Sequence, residues 1–161
     1  MLLHACKVKR FEVKGKLYST LPEFRFTADI EGTDWAAFKA MLKADSFDNG
    51  RSEAQYGQSA RNSFMNVFVF DGERVIGNGR ALSDGVCNAY IVDVWTHSAY
   101  RRRGIGSEIV RLLTEACPGQ HVYLFTDDAP EFYEACGFER QGFGMGKVVG
   151  DWLVSGESLN L

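Results

Sequence analysis

The hydrophobic period of the chain changes at Gly104, and that change leaves few folds open. From 64 to 96 the apolar residues fall in extended runs: Phe64-Met65-Asn66-Val67-Phe68-Val69-Phe70, then 74–82, then 89–96. Asp71-Gly72 and Asp84-Gly85 separate them, and such pairs favour tight hairpin turns. Three antiparallel strands in a meander follow. From Gly104 the spacing is helical, with Ile105, Ile109, Val110, Leu112, Leu113 and Ala116 on one face, and Pro118-Gly119 ends it. His121-Val122-Tyr123-Leu124-Phe125-Thr126 is again strand-like. A strand, a helix and a strand across 89–126 imply a right-handed parallel crossover. A meander that ends in a crossover is α+β: a mixed, mostly antiparallel sheet with helices packed on it.

The flanking segments fill in the rest. Residues 1–18 mix basic and apolar side chains and suit a short strand or hairpin. Phe24-Arg25-Phe26-Thr27-Ala28-Asp29 alternates as a strand does. Thr33 or Asp34 can cap a helix from Trp35 to about Lys43, and 52–61 is weakly helical. Gly77 and Gly79, inside the second meander strand, predict a bulge or a close approach of backbone. Asp128 can cap a short helix starting near Pro130 and ending at Gly137, and 147–154 suits a final strand. About four helices result, with no domain boundary in evidence, so 1–161 reads as a single domain.

Charge and cysteine usage exclude several classes. The net charge of −3 gives no global basic surface for nucleic acid. Cys6, Cys87, Cys117 and Cys136 form no CxxC pair, so no metal is expected and the thiols suit a reducing compartment. Residues 1–7 lack the apolar run of a signal peptide, and no stretch approaches the roughly twenty apolar residues of a membrane helix. A cytoplasmic protein is the expectation.

Against that background the run Arg101-Arg102-Arg103-Gly104-Ile105-Gly106 is a local feature. It ends a strand and opens a helix. The first N–H groups of a helix lack intrahelical partners and carry partial positive charge. Gly104 and Gly106 let that backbone approach a ligand, and Arg101 and Arg103 add charge-assisted contacts, so the turn suits an anion such as pyrophosphate. The alternative is a glycine-rich helix start with solvated arginines. No GK[ST] follows, so this is not a Walker A loop, and the spacing does not fit GxGxxG.

The turn fits the [Gln/Arg]-x-x-Gly-x-[Gly/Ala] signature of the GNAT (Gcn5-related N-acetyltransferase) family. Pro130-Glu131-Phe132-Tyr133-Glu134-Ala135-Cys136-Gly137-Phe138 is similar to that family's helix-and-strand segment ending in Phe-Tyr-x-x-x-Gly-Phe, and the order of elements agrees. The resemblance covers roughly residues 24–154. It implies acetyl-CoA (coenzyme A) as cofactor and transfer of the acetyl group to a primary amine of a small molecule, within a ternary complex. An acyl-CoA-binding module without turnover, or a protein or peptide N-acetyltransferase, is the alternative. Many relatives dimerise, so a homodimer is possible.

Site residues follow from the same resemblance. Pyrophosphate sits on the turn formed by Arg101, Arg102, Arg103, Gly104, Ile105, Gly106 and Ser107. The pantetheine arm runs beside the backbone of Val94, Trp95 and Thr96, where the strand is splayed from the next, and Thr126 matches a position that often touches the cofactor. Tyr133 matches the usual general acid. An ordinary phenol pKa near 10 lets it keep a proton at neutral pH and give it to a basic thiolate. A backbone N–H near Val94 is the expected oxyanion donor. The base is less regular: family members that carry Glu or His four or two residues before Val94 have Tyr90 and Val92 here. Strand alternation turns Asp93 away from both unless a bulge intervenes. Phe47, Asp48, Asn49, Arg51, Tyr56 and Arg80 fall where the family lines its acceptor pocket, alongside Tyr90 and Asp93. Their mixed charges leave open a cationic or a carboxylate-bearing amine.

Overall fold

The structure is a computed structural model, which describes residues 17, 19–142 and 144–153. Among these residues, five strands and four helices follow the expected order: β1 (Arg25–Thr27), α1 (Trp35–Ala44), α2 (Glu53–Arg61), β2 (Met65–Asp71), β3 (Arg74–Ser83), β4 (Asn88–Thr96), α3 (Ile105–Glu115), β5 (His121–Tyr123) and α4 (Pro130–Ala135). A single 3-10 turn, Ser98–Tyr100, links β4 to α3. The strands lie in sequence order in one sheet, antiparallel from β1 to β4 and parallel between β4 and β5. The strand or hairpin expected over 1–18 lies outside the described residues except for Leu17 and belongs to no described element.

Two apolar layers hold the sheet. Val67, Val69, Ala81 and Ile91 pack with Ile105, Ile109 and Leu113 of α3 on one face. Phe38, Leu42, Tyr56, Phe68 and Trp95 pack on the other, under α1 and α2. Both local expectations for β3 hold. A Cβ on Gly79 would stand 2.5 Å from Ile109 Cγ2, and one on Gly77 would stand 3.2 Å from Ile109 Cδ1, so α3 rests directly on strand backbone. A β-bulge lies opposite: Asn78 pairs with Trp95 and Arg80 with Val92, leaving Gly79 facing both Asp93 and Val94. Asp93 adopts φ +57°, a left-handed conformation that aspartate tolerates better than most residues.

The helices start where side chains can satisfy their first N–H groups. Asp34, not Thr33, caps α1, through Oδ1 to the Ala37 N–H at 3.0 Å. The polar α2 carries a full capping box: Ser52 Oγ accepts from Gln55 N, and Gln55 Oε1 accepts from Ser52 N. Three expectations are corrected. Asp128 does not cap α4, whose N-cap is Ala129 without a side-chain bond; Thr126 Oγ1 accepts the Ala129 N–H instead. β5 stops at Tyr123 rather than Thr126, because the chain leaves β4 there and loses its ladder partner. Residues 147–153 form no strand: the sheet ends at β5, and an extended segment without a neighbour has no ladder to hold it. No helix among the described residues is long and apolar enough to cross a membrane.

α3 is also anchored electrostatically. The Glu108 carboxylate is buried, accepts the Thr20 N–H at 2.7 Å and binds Arg111 through both oxygens. The Arg111 guanidinium pulls its pKa down to about 2, against the opposing effect of burial, and the Thr20 N–H helps. A folded pKa below the unfolded one gives stability that is complete above about pH 4.5 and is lost as pH falls toward 2. Glu108→Gln is therefore expected to flatten the loss of stability in that window. The difference, at most about 3 kcal/mol, is readable from urea unfolding at pH 3 and pH 6.

Candidate active site

β4 and β5 pair only at Asn88↔His121, Ala89↔Val122 and Tyr90↔Tyr123. Beyond Tyr90, β4 runs on to Thr96 while the segment after Tyr123 turns away, so the two strands splay as expected. A cleft of about 1040 Å³ lies beside the paired ends of the two strands, walled by Leu82, Tyr90, Leu124, Phe125, Tyr133 and Phe138 and reaching Thr126; Val94, Trp95, Thr96 and 101–107 do not line it. Tyr90 and Phe125 meet edge to face at 5.6 Å.

Tyr133 stands on α4, its ring packed between Phe132 at 4.9 Å and Phe138 at 6.1 Å. Its hydroxyl has no hydrogen-bond partner among the described residues, and the residue lines the cleft. Burial pushes its pKa up, and the nearby Cys136 and Asp128 add to the effect. The phenol therefore holds its proton through neutral pH. Tyr90 is raised in the same direction by burial alone.

The turn before α3 is built to leave N–H groups free. Gly104 is the N-cap in a left-handed conformation, φ +80°, and no side chain caps the helix. The first intrahelical bond is Glu108 N to Gly104 O, so the N–H groups of Ile105, Gly106 and Ser107 have no helix partner. A Cβ on Gly106 would stand 3.2 Å from Phe132 and 3.5 Å from Thr96 Oγ1, so this glycine joins the turn, α4 and the end of β4. Arg101, Arg102 and Arg103 are all exposed. Arg101 Nε donates to Thr96 O at 3.3 Å, and Arg103 lies over the Phe24 ring at 4.7 Å. The turn is fixed from behind by Asp45, which accepts from Trp95 Nε1 at 2.8 Å and from Ser98 N at 3.0 Å. Burial opposes ionisation of Asp45, but the Ser98 and Trp95 donors outweigh it and lower its pKa. Nothing in the spacing of the sequence marks Asp45 for this part.

The bulge corrects the expectation for Asp93. Its side chain is on the α1/α2 face of the sheet, where Oδ2 accepts from Arg51 Nη2 at 2.7 Å and Arg80 Nε at 2.8 Å. Val94 instead packs with the α3 layer. The extra residue shifts the alternation by one, so Asp93 joins the face of Arg80 and Val94 leaves it. Arg51 lies over the Tyr56 ring at 4.4 Å, and the buried Tyr56 donates its hydroxyl to Asp48 Oδ1 at 2.7 Å. Burial, reinforced by Asp48, pushes the Tyr56 pKa up to about 12, so this tyrosine braces the loop. Lys39 Nζ closes the other side of Asp48 at 2.9 Å, and Asn49 Oδ1 accepts from Arg51 Nε at 3.0 Å. Phe47 packs on Trp95, with 6.4 Å between ring centroids, rather than on the cleft. The Trp95 side chain is itself buried in the second apolar layer, which leaves only its backbone near the splay.

Comparison with known proteins agrees with this arrangement. No curated protein matches the chain by sequence. Among solved structures, a protein of Deinococcus radiodurans described as an acetyltransferase superposes with a TM-score of 0.68 at 26% identity, over 81% of this chain and 92% of that one. A GNAT-family acetyltransferase of Streptococcus pneumoniae gives 0.64 at 20% identity, over 80% and 98%. Glucosamine-6-phosphate N-acetyltransferase of Arabidopsis thaliana gives 0.60 at 15%, over 79% and 99%. The family model "Acetyltransferase (GNAT) family" matches residues 28–138, which carry the meander, the turn, α3 and the Tyr133 helix. With more than half of its length matched in this way, the chain belongs to the GNAT family of acetyltransferases.

Proposed function

We propose that this single-domain protein transfers the acetyl group of acetyl-CoA to a primary amine of a small molecule, by direct attack in a ternary complex. The observation that carries the reading is Tyr133, which lines the cleft beside the paired ends of β4 and β5 with its hydroxyl unpartnered among the described residues, its pKa raised by burial. The turn fits the donor: three free N–H groups at a helix start and a glycine at 106 suit a diphosphate, and exposed cations surround it. When bound, acetyl-CoA supplies the thioester that the amine attacks and the thiolate that leaves.

The residues divide the work. Arg101 to Ser107 hold the diphosphate by backbone N–H groups and charge. The backbone of β4 at Val94, Trp95 and Thr96, unpaired on the β5 side, aligns the pantetheine arm, with Thr126 across from it. The Val94 N–H, at the bulge, donates to the negative charge that develops on the carbonyl oxygen. Tyr133 gives its proton to the departing sulfur. Asp93 is committed to two arginines on the α1/α2 face of the sheet. The amine therefore binds neutral, or loses its proton to water in the cleft beside Tyr90.

Calorimetric titration of coenzyme A tests the turn. Gly104→Val places a branched side chain at φ +80° and distorts the free N–H groups, so affinity is expected to fall at least about ten-fold. Unchanged affinity in a folded variant would remove the turn from the reading.

A further inference from the structure

The polar cluster under α2 has more cations than it needs. Lys39 and Asp48 form a closed pair at 2.9 Å. Arg51 and Arg80 share one carboxylate, and both use the same oxygen, Asp93 Oδ2. Three cations thus face two carboxylates, an excess of one positive charge in this cluster of described residues. Both guanidinium groups are largely removed from water, with side-chain exposures of 9% for Arg51 and 12% for Arg80. An unmatched charge in such a place is costly unless a counter-ion arrives.

Both guanidinium groups keep donors available for that ion. Arg51 uses Nε on Asn49 and Nη2 on Asp93; Arg80 uses Nε on Asp93 and Nη1 on Ser59 O and Ser63 Oγ. Arg51 Nη1 and Arg80 Nη2 have no hydrogen-bond acceptor among the described residues. Neither is sealed from solvent, because the buried unpartnered side-chain atoms are Asn66 Oδ1 and Asn78 Oδ1 alone among the described residues. Arg80 pairs with Val92, and Leu82 pairs with Tyr90, a wall of the cleft, two residues along. Two residues of strand span about 7 Å, so an anion at the arginines lies within the length of a small molecule of the cleft wall.

We propose that the acceptor amine carries an anionic group, a carboxylate or a phosphate, which Arg51 and Arg80 hold while its amine enters the cleft. This rests on the transferase reading above. It selects between the two acceptor classes that the sequence left open. Asp93 then acts as a positioning residue, fixed at the bulge and orienting both guanidinium groups through one oxygen.

Matched acceptors test it in the intact protein: β-alanine against β-alaninamide, and O-phosphoethanolamine against ethanolamine. Each is assayed for thiol release from acetyl-CoA and titrated calorimetrically into the protein. The anionic member of at least one pair is expected to exceed its neutral partner about ten-fold or more in kcat/KM, chiefly through KM, and in affinity. The pair that shows the larger ratio identifies carboxylate or phosphate. Arg80→Gln is expected to abolish the preference without changing coenzyme A affinity. Arg80→Lys, which keeps the charge but loses the fork, is expected to retain part of it and serves if Arg80→Gln does not fold. Neutral amines used or bound as well as their anionic partners would overturn the proposal, as would a preference that survives both variants. A wild-type protein that does not bind coenzyme A would instead defeat the transferase reading, while the calorimetric comparison of acceptors still reports on the anion site.

Discussion

Tyr133→Phe is expected to lower kcat by about 10²- to 10⁴-fold, the range for loss of a positioned general acid, and to leave coenzyme A affinity nearly unchanged. The substitution removes one oxygen. The ring stays, so its packing against Phe132 and Phe138 survives, and no hydrogen bond to a described residue is broken. A purely structural tyrosine would show the opposite pattern, with little effect on turnover. The upward pKa shift fixes the pH behaviour. A phenol whose pKa is raised above 10 by burial keeps its proton at every pH up to that value. Wild-type activity should therefore not decline through Tyr133 between pH 6 and 9. Steady-state rates at saturating acceptor, across that pH range and for both proteins, check the assignment.

Gly79→Val is expected to destabilise the fold by about 3 kcal/mol or more. Even a Cβ at this position would stand 2.5 Å from Ile109 Cγ2 and 3.0 Å from Leu113 Cδ1, both deep in the α3 layer. α3 would have to lift from β3, and with it the turn that begins the helix. Gly146→Ala is the control: a Cβ there meets nothing within 4 Å, so a change within about 0.5 kcal/mol is expected. Urea midpoints for the two variants against wild type decide it. A small effect at Gly79 would mean that the layer can repack and that the contact does not set the position of α3.

Much of this architecture was legible because it rests on local patterns. The meander, its two Asp-Gly turns and the change of period at Gly104 needed no tertiary knowledge, and Gly77 and Gly79 marked a bulge or a close approach without saying which element approaches. The turn and the Tyr133 helix were legible for the same reason, as each lies within one short segment. What failed was set by partners distant in sequence. The side to which Asp93 turns depends on the bulge opposite Gly79, and alternation within one strand cannot register an extra residue. The length of β5 depends on where β4 stops following it. The convergence of Arg51 and Arg80 on one oxygen joins positions 42 and 13 residues from Asp93, and Asp45 reaches 50 residues to Trp95. Polar contacts over such separations have no periodic signature. Asp128 was the expected partner for the start of α4, and only the path of the loop selected Thr126.

The central claim is that the chain binds coenzyme A along the free stretch of β4 and the helix-start turn, and promotes acetyl transfer to an amine with Tyr133 in the neighbouring cleft. Thiol release from acetyl-CoA by the wild-type protein, measured across a panel of small primary amines with calorimetric titration of coenzyme A on the same sample, tests it most directly. Binding together with amine-dependent thiol release is the predicted result. Binding without release from any amine in the panel would contradict the transferase claim and favour an acyl-CoA-holding module, and absence of binding would contradict the assignment of the turn itself.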